Sequence, residues 1–69
     1  MSERVNVKVL LLFGAEAEIV ADVADPAAPE RYPASIIAED VGLPMRELPG
    51  RRLTAEVGSD DRLFGWRLA

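Results

Sequence analysis

VNVKVLLLFGAEAEIVADV, residues 5–23, is the stretch whose reading decides the fold. Val5, Val7, Val9, Leu11 and Phe13 alternate with Asn6, Lys8, Leu10 and Leu12, which is the period of a half-buried strand. Past Gly14, Ala17, Ile19, Ala21 and Val23 alternate with Glu18, Val20 and Asp22 in the same way. The two runs predict a β-hairpin spanning residues 4–24, and side-chain parity predicts its register. A two-residue loop at Gly14-Ala15 would set Phe13 against Glu16 and Leu11 against Glu18, mixing apolar and polar faces. A three-residue loop, Gly14–Glu16, sets Phe13 against Ala17, Leu11 against Ile19, Val9 against Ala21 and Val7 against Val23, with Lys8 opposite Asp22. Because a one-residue slip reverses every side chain, the odd loop is expected. Leu10, Leu12 and Val20 then form an apolar set on the opposite face.

Working outward, residues 25–33 read as a proline-rich loop, since Pro26, Pro29 and Pro33 lack backbone donors and push their predecessors towards extended conformations. A short helix is expected over 33–42, with Pro33 in its first turn, an apolar stripe of Ile36, Ile37 and Val41, and Gly42 in the left-handed position past its end. Residues 43–51 are turn-rich, Leu48-Pro49-Gly50 above all. Leu53, Ala55 and Val57, then Phe64, Trp66 and Leu68, predict a second hairpin over 52–68. An even loop around Gly58-Ser59-Asp60-Asp61 would set Leu53 against Trp66 and Ala55 against Phe64, and would bring Arg52 opposite Arg67. The expected architecture is a small single-domain α+β fold, β-β-α-β-β: two antiparallel hairpins flanking one short helix. Trp66 is expected in the core.

At 69 residues the chain buries a small core, and small domains commonly add a disulfide, a metal or a second subunit. It contains no Cys and no His, so an intertwined or sheet-packed homodimer is the expected supplement. The same absences remove the thiol nucleophile, the commonest metal ligands and the side chain that titrates near neutrality. The remaining catalytic candidates are weak. Glu16 and Glu18 sit beside one turn and Asp60-Asp61 in another, where carboxylates are ordinarily solvated. Asp60 and Asp61 lack the spacing of a calcium loop. Ser35 and Ser59 have no histidine partner, and the glycines form no phosphate-binding run. The expectation is a protein that is not an enzyme and uses no cofactor or metal.

Net charge is −4, with carboxylates concentrated in residues 14–40 and five arginines (Arg46, Arg51, Arg52, Arg62, Arg67) in residues 41–69. No apolar run reaches the length of a membrane span, and a cytoplasmic protein is expected. The function expected is non-catalytic protein–protein interaction, as a small regulatory or accessory protein. Its surface would include Leu10, Leu12 and Val20, together with Arg52 and Arg67.

One resemblance supplies an alternative. Pro33, Ile37, Val41, Gly42-Leu43, Pro49-Gly50, Leu53, Val57 and Arg62-Leu63 follow an order that resembles the swapped-hairpin AbrB/MazE-like regulators and antitoxins. The likeness covers about half the chain. It departs from the pattern in the length between Gly42-Leu43 and Pro49-Gly50, in the loop before Pro33, and in the first strands, which lack the arginines that the resemblance leads one to expect there. It implies a dimeric DNA-binding regulator with Arg46, Arg51, Arg52, Arg62 and Arg67 as the nucleic-acid contacts.

Overall fold

A computed structural model describes residues 3–69. Five strands form one antiparallel sheet: β1 (Glu3–Phe13), β2 (Glu16–Ala21), β3 (Glu30–Pro33), β4 (Arg52–Val57) and β5 (Leu63–Leu68). Their spatial order is β3-β2-β1-β4-β5. One helix, α1 (Ala34–Val41), and a short 3-10 turn, Met45–Glu47, lie between β3 and β4. The small α+β class and both hairpins agree with the sequence. No helix among the described residues is long and apolar enough to cross a membrane.

Both hairpin registers differ from expectation, and for one reason. At the first turn Phe13 faces Glu16 and Leu12 faces Ala17 across a two-residue loop, Gly14-Ala15. Leu10 is then an extra residue, so that beyond it Val9 faces Ile19, Lys8 faces Val20 and Val7 faces Ala21. The bulge reverses parity once, which lets the chain use a tight turn and still bury Val7, Val9, Ala17 and Ile19 on one face. At the second turn Val57 faces Leu63 and Glu56 faces Phe64, but Thr54 faces Arg67 and Leu53 faces Leu68. The extra residue here is supplied at Gly65-Trp66, with Gly65 at φ +61, a conformation that a side chain would oppose. Arg52 therefore does not oppose Arg67; its partner on β1 is Lys8.

The proline-rich segment also contains a strand. Glu30–Tyr32 lie between two prolines that favour extended backbone, and β3 is an edge strand, where Pro33 costs no inner ladder bond. After β3 the helix buries Ala34, Ile37 and Ala38, with Val41 partly covered. That spacing (i, i+3, i+4, i+7) is a helix's apolar face, and it leaves Ile36 exposed, contrary to the expected stripe. Pro33 precedes the helix as its N-cap, and Gly42 (φ +75) closes the other end by donating its N–H to the Ala38 carbonyl. Leu48-Pro49-Gly50-Arg51 form a tight turn closed by Arg51 N–H to Leu48 C=O (2.9 Å), which drives Leu48 fully into the core.

The sheet curls until its two edges meet. Tyr32 of β3 packs edge-on against Trp66 of β5, with ring centroids 5.1 Å apart. The backbones do not pair along this seam; side chains bridge it. Leu63 N–H donates to the Tyr32 hydroxyl (3.3 Å) and Arg62 donates to the Arg31 carbonyl (3.4 Å), while beside the seam Trp66 N–H donates to the carboxylate of Asp40 on α1 (3.2 Å). Each bridge occupies a backbone group that an open edge strand would leave free. Helix α1 closes one end of the curled sheet, and the other end stays open.

Candidate functional site

Leu10 and Leu11 occupy the bulge of β1, and both remain over 40 % exposed, while Phe13 beside the turn is 57 % exposed. These three side chains are exposed on the same strand, with only Leu12 between Leu11 and Phe13. Arg31 lies over the Phe13 ring with its guanidinium carbon 4.1 Å from the centroid, and its Nε is 3.4 Å from the Glu18 carboxylate. The result is a short apolar strip with a cation and an anion fixed at its rim.

This placement revises the apolar set read from the sequence. Leu10 is exposed as expected. Leu12 turns inward and packs against the core, because the bulge has already reversed the alternation. Val20 is buried. Leu11 and Phe13, assigned inward by uninterrupted alternation, are the exposed members instead.

The arginines are distributed rather than aligned. Arg52 Nε lies 3.5 Å from Asp22, Arg51 Nη2 lies 3.5 Å from Glu47, and Arg62 Nη1 lies 3.7 Å from Glu30. Arg46 on the 3-10 turn and Arg67 on β5 form no ion pair among the described residues. Arg4 on β1 pairs with Glu56 and donates to Thr54 and to the Gly65 carbonyl, which ties the outer face of the β5 bulge to the sheet centre.

The open end of the curled sheet is a cleft of about 260 Å³. Val5, Val7, Ile19, Val57, Leu63 and the Tyr32 ring line it, with Ala27 and Ala28 of the β2–β3 loop on one side and Asp61 of the β4–β5 turn on the other. Tyr32 holds the wall. Its hydroxyl accepts from Leu63 N–H and donates to Glu30 (3.3 Å), and the Arg62 guanidinium stacks 4.2 Å from its centroid. Burial pushes the phenol above its ordinary value, the nearby Glu30 charge adds to this, and the Leu63 N–H and Arg62 oppose it. Among the described residues no three acidic side chains converge as a metal cage would require. Asp60 instead accepts the Arg62 backbone N–H (3.0 Å), a turn-closing bond.

Sequence reasoning did not single out Tyr32, Leu48 or the cleft. The one available signal was a lone tyrosine bracketed by Pro29 and Pro33, which marks an ordered extended segment rather than a loose loop. No known family, curated protein or solved structure matches the chain.

Proposed function

We propose that this chain is a non-catalytic regulatory or accessory protein that works by binding another protein through Leu10, Leu11 and Phe13. The observation that carries the reading is the β1 bulge, which leaves three large apolar side chains, Leu10, Leu11 and Phe13, exposed on one strand while Leu12 between them turns inward. Apolar patches of this kind supply affinity, and the Arg31–Glu18 pair at the rim supplies orientation and partner choice. Arg51, Arg52 and Arg62 each face a carboxylate, and this favours the reading over a phosphate-tracking surface.

The test is a Leu10→Glu/Leu11→Glu variant. Both positions are exposed, so folding is retained by circular dichroism, while protein captured from the native lysate by the immobilised wild type is lost. Capture that survives the double variant overturns the assignment of this surface. Salt-sensitive binding of labelled random duplex DNA, lost on Arg46→Ala/Arg67→Ala, would replace it with the regulator reading.

A further inference from the structure

We propose that the open cleft is a self-assembly site, which receives Met45 of a second copy of this chain in a head-to-tail contact. The cleft volume of about 260 Å³ falls just below the range of small-molecule pockets, about 300–1,000 Å³, and suits a single large side chain better than a cofactor. Its walls are apolar, aliphatic side chains and the Tyr32 ring, and its rim is acidic: Glu30 and Asp61 line it directly. Strand register brings more carboxylates to the same end. Glu3 faces Val57, Asp25 lies in the β2–β3 loop and Asp60 in the β4–β5 turn. Among the described residues the arginines at this end are already engaged, Arg4 by Glu56 and Arg62 by Glu30, while Asp61 forms no ion pair. The cleft therefore calls for an apolar group adjoining a positive charge.

The chain carries that combination at its other end. Met45 is 46 % exposed on the 3-10 turn, and Arg46 beside it has no ion-pair partner among the described residues. Arg51 cancels Glu47 on the same turn through their ion pair. This turn leads into the start of β4, whereas the cleft lies at the end of β4, so one molecule cannot close the contact on itself. Methionine is unbranched and polarisable, and adapts readily to an irregular apolar cleft. A contact between two different patches is heterologous, and unless its rotation closes a ring it propagates into open chains. It is small and charge-dependent, so association is weak and screened by salt.

The site is separate from the Leu10–Leu11–Phe13 strip, and the experiment distinguishes the two. Sedimentation velocity of the wild type at concentrations on the order of 100 µM and low ionic strength is expected to show association that raised salt reverses. Met45→Ser/Arg46→Glu removes the knob, and Asp61→Asn/Ala28→Trp plugs the cleft from exposed positions; Asn at position 61 keeps a residue that tolerates the positive φ of 63°. Each variant alone is expected to be monomeric. Mixed, they are expected to form a one-to-one dimer, because one retains the cleft and the other the knob. The proposal is overturned by a wild type that stays monomeric, by either variant associating as the wild type does, or by a mixture that remains monomeric. Association abolished by Leu10→Glu/Leu11→Glu without complementation between the cleft and knob variants would place self-contact on the outer strip instead.

Discussion

Tyr32 concentrates the chemistry of the seam in one residue. It is 4 % exposed, its ring contacts Trp66, its hydroxyl satisfies the backbone of the facing strand, and Arg62 covers its other side. Its phenol titrates above the ordinary value of about 10, chiefly through burial. The fold thus favours the neutral form. This contribution is complete below pH of about 10; above that the unfolded chain loses the proton first, and stability falls until the folded phenol ionises too. Urea titrations at pH 8 and at about pH 11 are expected to show a stability loss attributable to this phenol. In Tyr32→Phe that part of the alkaline loss disappears. The variant starts lower at pH 8, by about 1–3 kcal/mol, because the Leu63 N–H is left without its acceptor. An alkaline loss of equal size in Tyr32→Phe would show that the phenol is not its source.

Strands and turns obey a parity rule that the bulges satisfy in an unexpected way. Apolar alternation fixes which residues of β1, β2, β4 and β5 face inward through the middle of the sheet, and Val7, Val9, Ile19, Leu53, Ala55 and Trp66 are all buried. Near each turn the alternation reverses, turning Phe13 and Phe64 outward. A direct consequence concerns Leu10. If it is a bulge residue, deleting it leaves Val9 opposite Ile19 and Leu12 opposite Ala17, and only an exposed side chain is lost. The deletion variant is expected to fold, with a cost below about 2 kcal/mol by thermal unfolding. Under uninterrupted alternation the same deletion would turn every residue beyond it to the wrong face and prevent folding. An unfolded deletion variant would therefore reject the bulge.

Across the whole molecule, one chain closes its own core. The Cα radius of gyration is 10.9 Å, against about 11 Å expected for a compact chain of this length. The core is small, so each large member matters. Trp66→Ala is expected to cost about 3–5 kcal/mol, against a total of about 3–10 for a chain of this size. Far-ultraviolet circular dichroism in urea at 25 °C should find the variant's unfolding midpoint far below that of the wild type. Phe64→Ala, at an exposed position two residues earlier, should lose no more than about 1 kcal/mol. Similar losses at the two sites would contradict the inward and outward assignment of β5.

Local chemistry by itself determined the hairpins, the helix from Ala34 to its Gly42 end, the burial of Trp66 and the scarcity of catalytic groups, because alternation, caps and missing residue types are written in short spans. Tertiary structure alone decided the rest. A bulge depends on what each face of a strand packs against, so the exposure of Leu11 and Phe13 and the inward turn of Leu12 could not follow from spacing. β3 exists because β2 offers it an edge, and Leu48 is buried because a turn aims it at a core assembled from distant strands. The cleft, its acidic rim and the Tyr32 seam arise only when the sheet curls and brings residues near 30 against residues near 60. That closure is a property of sheet twist and packing, to which no single segment of the sequence corresponds.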